Sequence, residues 1–176
     1  IKETNVNNTI YESSIAQVKV SDNKFFANYE DVNLMFNGFE GSNFAIVTNP
    51  FIDSKNSSGH VARTVRGTLQ PWAGIYSDKL AQKIDFSTDH FIKLKVYLPK
   101  ACSVLLKLED VANNKNVYEL TQNVTNANTW VELTYDMSAA PSNAFDIITL
   151  IFDVGSYNGL TYYFDDITQA GEVVTA

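Results

Sequence analysis

Cysteine is nearly absent from this 176-residue chain: one residue, Cys102, rules out any internal disulfide. None is needed, because a chain of this size buries about 70% of the surface its unfolded form exposes. Cys102 opens the apolar run Val104-Leu105-Leu106 and reads as a small core or strand-edge residue. Histidine is equally scarce. His60 and His90 lie in separate segments and neither belongs to an H-E-x-x-H pattern, so a zinc hydrolase has no sequence support. The chain also lacks a G-x-S-x-G elbow and a glycine loop that could cradle phosphate. No apolar stretch is long enough to span a bilayer, and no signal-peptide pattern opens the chain. It begins at Ile1 without methionine, which leads us to expect a processed or excised piece of something longer. Positive charge is in deficit. Thirteen Lys and Arg against twenty Asp and Glu give a net charge of −7, which disfavours nucleic acid and anionic membranes as partners.

What the chain does have is short apolar runs of period two. Residues 91–98 place Ile92, Leu94, Val96 and Leu98 on one face and Lys93, Lys95 and Tyr97 on the other, until Pro99 ends the run. Residues 103–110 repeat the pattern, with Val104, Leu106 and Leu108 inward and Lys107 and Glu109 outward. Further strands are expected at 32–39, 44–48, 60–66, 74–77, 117–122, 129–136, 145–154 and 160–167, separated by Asn-, Gly- and Pro-containing turns. One helical turn could fit between residues 76 and 84. About ten strands without crossover helices read as an all-β antiparallel sandwich, a jelly roll. Residues 1–25 are polar apart from an alternating stretch at 15–20 and read as a linker or edge strand. Residues 26–170 form the sandwich, and 171–176 begin another linker.

Two kinds of residue carry chemistry. The first is the acids Glu30, Asp31, Glu109, Asp110, Asp165 and Asp166. Paired carboxylates at a fixed separation would serve glycoside hydrolysis. The placement of Glu30-Asp31 and Asp165-Asp166 at the first and last core strands favours clustered hard oxygens instead. Such a cluster suits a structural Ca²⁺, held by Glu30, Asp31 and Asp165. The second kind is aromatic. In Trp72-Ala73-Gly74-Ile75-Tyr76 an inward Ile75 turns Trp72 and Tyr76 outward, with no side chain at Gly74 between them. Flat rings suit the C–H face of a sugar, and Arg66, Lys107 and Glu109 could pair with its hydroxyl rim. Trp130 is expected to face outward with Glu132 and Thr134, and either to meet ligand or to pack under a neighbouring loop. Lys107 and Glu109 could instead pair with one another. Tyr162, Tyr163 and Phe164 read as a strand buried on both faces.

The ending Tyr162-Tyr163-Phe164-Asp165-Asp166-Ile167 resembles the last strand of jelly-roll carbohydrate-binding modules of the family 4, 16 and 22 type, a galactose-binding-like sandwich. Tyr29-Glu30-Asp31 resembles the acidic first strand of those modules, with tyrosine in place of their usual phenylalanine. Between them, segments such as Asn56-Ser57-Ser58-Gly59-His60-Val61, Trp72-Ala73-Gly74-Ile75 and Thr129-Trp130-Val131-Glu132-Leu133 resemble modules of polysaccharide-degrading marine bacteria. The resemblance spans residues 29–168. It implies a calcium ligand at Asp165 and a non-catalytic module that holds a polysaccharide, a β-glucan such as laminarin, for a larger secreted or cell-surface protein. A monomer without a transmembrane segment of its own is expected. An adhesion or spacer domain with Trp72 buried, and a jelly-roll lyase or hydrolase, are the competing readings.

Overall fold

A computed structural model describes residues 24–171. The alternating stretch at 15–20, and all but the first residue of the expected C-terminal linker, lie outside them. Among the described residues there are eleven strands: β1 (Lys24–Ala27), β2 (Phe36–Phe39), β3 (Asn43–Thr48), β4 (His60–Val65), β5 (Gly74–Ser77), β6 (Phe91–Tyr97), β7 (Cys102–Glu109), β8 (Val117–Val124), β9 (Trp130–Asp136), β10 (Ile147–Phe152) and β11 (Thr161–Ala170). All pair antiparallel, in two sheets. One runs β3-β4-β11-β6-β9, with β1 also bonded to β11, and the other runs β2-β5-β10-β7-β8. This is the all-β sandwich that the periodicity of two requires.

The core lies where the alternation places it. Ile92, Leu94, Val96 and Leu98 from the six-stranded sheet face Ile75, Val104, Leu106, Leu108, Ile148 and Leu150 from the five-stranded one, all fully buried. The Tyr135 hydroxyl crosses this layer to donate to the Val104 carbonyl at 2.9 Å, so the one polar atom of a buried ring is satisfied. At one end the core is aromatic. Tyr29, Phe36, Phe44 and Phe164 meet at centroid distances of 5.5–6.4 Å, two of the pairs edge to face.

Three details depart from expectation. β1 adds a short strand at Lys24–Ala27, and the strand expected from residue 32 begins only at Phe36. Glu30 and Asp31 therefore sit in a turn, where the Asn28 side-chain oxygen accepts the amides of Glu30, Asp31 and Val32. No helical turn forms at 76–84. After β5 the chain instead hangs on β10's approach, with the Leu80 and Ile84 amides donating to the Asp146 and Phe145 carbonyls.

Candidate functional site

The outer face of the five-stranded sheet is an open groove of about 660 Å³, within the size range of small-ligand clefts. Strand register builds it in rows. One row crosses the sheet as Asn37, Tyr76, Thr149, Lys107 and Glu119, each opposite the next. A second pairs Phe39 with Gly74 and Ile151 with Leu105, and a third pairs Ile147 with Glu109. The period-two rule puts all of these on the side away from the core. Trp72 stands at one end, 52% exposed on the turn that leads into β5, and Tyr76 beside it is 41% exposed. Val111 and Val154 complete the apolar lining, and Asp110, Asn114 and Glu119 form a polar rim.

The groove floor carries one polar cluster. Glu109 accepts the Thr149 hydroxyl at 2.5 Å on one carboxylate oxygen and the Lys107 ammonium at 2.9 Å on the other. The Lys107–Glu109 ion pair, raised from the sequence as the alternative to sugar contact, is therefore present, along one strand. Each partner retains capacity: an ammonium has three donors, and a carboxylate accepts about four bonds. A donor and an acceptor thus lie side by side beneath the aromatic wall. Asp110 is engaged elsewhere. Its bond to Lys83 at 3.0 Å holds its carboxyl below the usual range.

Trp72, Tyr76, Lys107 and Glu109, singled out in the sequence as ligand candidates, all line this groove, although the space beside Gly74 is not open. A side chain there would collide with the Phe39 ring and Ile151, so the missing Cβ lets Phe39 lie across the strand. Phe39, Leu105, Ile147, Thr149 and Ile151 were not anticipated as lining residues. For Ile147, Thr149 and Ile151 the wholly apolar look of β10, broken only by Thr149, was the available signal.

Two candidates lie elsewhere and are corrected here. Arg66 is 2% exposed, and its guanidinium donates to four main-chain carbonyls. Trp130 faces outward from the six-stranded sheet but is fully buried, because the loop between β3 and β4 folds over it and the Phe51 carbonyl accepts its indole N–H at 2.8 Å. Phe51 also stacks on Tyr97 at 3.9 Å and meets Tyr163 edge-on at 5.4 Å. Tyr163 thus lies on the outer face under this loop, whereas Tyr162 and Phe164 point into the core. Cys102 offers no nucleophile, since burial, aided by Asp153, pushes its thiol up to about 11.

The expected metal ligands are dispersed in their bonding. Asp165 is fully buried. It accepts the Asn56 side-chain amide at 2.9 Å and the Asp166 amide at 2.8 Å, and burial, reinforced by Asp166, raises its carboxyl to about 6. Glu30 accepts the His60 amide at 2.6 Å and lies 3.4 Å from the His60 ring nitrogen; the backbone bond is the main cause of its lowered pKa. Asp31 is exposed. Among the described residues no three His, Cys, Asp or Glu side chains form a metal-sized cluster. Of the three expected ligands Asp165 is the buried one, its neighbours being Asn56, Ser58 and the Asp166 carboxylate.

No family model matches the sequence, and no curated protein sequence does. Solved structures do match in fold. The C-terminal family 22 carbohydrate-binding module of Clostridium thermocellum Xyn10B superposes with a TM-score of 0.59 at 13% identity, over 88% of this chain and 99% of that one. A family 29 carbohydrate-binding module complexed with cellulohexaose gives 0.58 at 10% identity, over 85% and 91%. An arabinose-bound α-L-arabinofuranosidase gives 0.61 at 12% identity over 84% of this chain, which spans only 26% of the enzyme's length. The fold is that of the jelly-roll carbohydrate-binding modules.

Proposed function

We propose that this domain binds a neutral polysaccharide in the groove of the five-stranded sheet and performs no chemistry on it. One observation carries the reading: Trp72 and Tyr76 stand exposed in a preformed groove beside the Lys107–Glu109–Thr149 cluster. Exposed rings would stack on the C–H faces of sugar rings, and the adjacent ammonium and carboxylate would each take a hydroxyl. From β5 to β8 the groove crosses three strand spacings, about 14 Å, so several linked sugars fit and a single one would leave it part empty. Carboxylates at Glu109, Asp110 and Glu119 favour a neutral glycan over an anionic one, and a β-glucan such as laminarin is the expected ligand. A hydrolase is less well supported. A general acid needs a raised pKa, and Asp110 is shifted the other way by Lys83.

A module of this kind would act within a larger secreted or surface protein. Its own affinity would be micromolar to millimolar, about −8 to −4 kcal/mol, and avidity in the parent would supply the rest. Affinity gel electrophoresis against laminarin, xylan, mannan, alginate and agar tests this directly. The expected result is retardation by a neutral glucan that disappears in Trp72→Ala. No retardation by any glycan would replace this reading with that of a protein-binding or spacer domain.

Calcium belongs to the same proposal. Asp165 and Glu30, with Asp31 at the turn, would hold the ion beside the β3–β4 loop, and the ion would neutralise a buried carboxylate that now has only amides and a hydroxyl for partners. EDTA should then lower the melting temperature; an unchanged value with no co-purifying metal rejects the site.

A further inference from the structure

Arg66 is a buried cation whose four bonds all go to main-chain carbonyls on the segments that build one end of the groove. Its Nε donates to Phe152 at 2.7 Å, Nη1 to Gly67 at 3.1 Å and Ser156 at 2.6 Å, and Nη2 to Pro71 at 2.7 Å. Its own amide donates to Leu160 at 2.9 Å, and the Gly155 amide also donates to Pro71, at 2.9 Å. Trp72 follows Pro71 directly, on a turn closed by the Ala73 amide and the Gln70 carbonyl at 3.1 Å. Val154 lies between Phe152 and Ser156. Both line the groove. Neither rests on a ladder of strand bonds; besides Arg66, the 153–156 loop is held by the Asp153 amide on the Ser103 carbonyl at 2.7 Å and by Lys100 on the Asp153 carboxylate at 2.8 Å, and the Gly155–Pro71 bond also links the two loops.

We propose that Arg66 is the positioning residue of the groove's aromatic end: it clamps the 70–73 turn to the 153–156 loop and so holds Trp72 in its binding orientation, without touching ligand. The inference rests on the groove reading above. A guanidinium is suited to this task because its planar fork directs five N–H groups at fixed angles, whereas a lysine ammonium reaches fewer carbonyls from a flexible stem. Preorganising a stacking ring lowers the entropy lost when ligand orders it, so the clamp raises affinity with no contact of its own. The same pattern explains why an arginine beside the strand-forming residues of β4 turns inward. Four carbonyls at the mouth of the sandwich supply acceptors that water would otherwise provide.

The test compares wild type with Arg66→Lys and Arg66→Met, using laminarin as the probe and time-resolved anisotropy of tryptophan emission as an independent readout. Trp130, fully buried and hydrogen-bonded to Phe51, is the internal reference. The expected result is faster local motion at Trp72 with Trp130 unchanged, and affinity reduced about ten-fold in Arg66→Met, with Arg66→Lys between it and wild type. General loosening would move both tryptophans and overturn the proposal, as would affinity and Trp72 motion equal to wild type. Where wild type is retarded by none of the five glycans named above, the groove reading falls, and Trp72 mobility alone then decides the role of Arg66. Should neither Arg66 variant fold, Gly155→Ala loosens the same clamp from the other loop. Gly155 has φ +91°, a strained value for alanine, yet nothing lies within 4 Å of the added Cβ. Unchanged Trp72 motion in that variant overturns the proposal.

Discussion

The two outer faces of this sandwich begin from the same alternation and end with opposite fates. On the six-stranded sheet, Tyr97, Tyr163 and Trp130 point away from the core, and the β3–β4 loop brings Phe51 onto them, its ring stacked on Tyr97 at 3.9 Å and edge-on to Tyr163 and its carbonyl bonded to the Trp130 indole. On the five-stranded sheet, Tyr76 and Phe39 likewise point outward, with Trp72 beside them, and among the described residues no loop crosses them. Each face carries one tryptophan. Trp130 is sealed and hydrogen-bonded, while Trp72 has half its surface in solvent. Outward orientation on a strand thus does not distinguish a binding ring from a structural one. Whether a loop from elsewhere in the chain covers it does.

Breaking the covered face should have the largest effect on stability. Trp130→Ala empties a fully buried site and removes the partner of the Phe51 carbonyl. We expect a loss of about 3–5 kcal/mol in urea unfolding, whereas Trp72→Ala stays within about 0.5 kcal/mol of wild type and loses glycan retardation instead. A reversed ranking would contradict the contrast.

Next in size is a pH effect under the same loop. Burial raises Asp165 to about 6 from an ordinary 3.8, and the Asn56 amide reaches it from the β3–β4 loop. Asp165 therefore holds a proton in the folded protein that the unfolded chain has released between about pH 4 and pH 6. In calcium-free buffer its contribution to stability, read as the difference between wild type and Asp165→Asn, should be greatest below that window, fall as pH rises through it, and level off above, by on the order of 1–3 kcal/mol. A difference that stays constant across the window would assign the pH dependence to another group. Removing Phe51 as Phe51→Ala should cost about 1 kcal/mol, since its ring is already partly exposed, and should make Trp130 newly accessible to iodide. The smallest expected effect sharpens the open face: Lys107→Met leaves stability within about 0.5 kcal/mol and weakens glycan binding a few-fold.

What could be read from the sequence divides along the same line. The strands and their inner faces were legible in 91–98 and 103–110 because a period of two is a local signal. Trp72 and Tyr76 were legible for the same reason, with Ile75 fixing the phase between them. The clamp at Arg66 was not, because its four acceptors lie on residues 67, 71, 152 and 156, which meet only in the fold. Trp130's outward orientation was correct, and an overlying loop was one of the two outcomes considered, but only pairing across 79 positions with Phe51 decides between them. Strand β1 was missed since Lys24-Phe25-Phe26-Ala27 carries no apolar–polar alternation; its pairing with β11 defines it.

The chain order of the strands has a consequence for synthesis. β10 lies at the centre of one sheet and β11 at the heart of the other, yet they are the last two of the described strands to be made. A nascent chain emerges at about 5–20 residues per second, so β3, β4, β6 and β9 leave the ribosome while the strand that joins their two halves has not yet appeared. The five-stranded sheet lacks its central strand until residue 152 emerges, and the six-stranded sheet carries open edges and an exposed apolar face until residue 170 does. Stalling or truncation ahead of β11 should therefore yield an aggregation-prone fragment instead of a smaller folded domain.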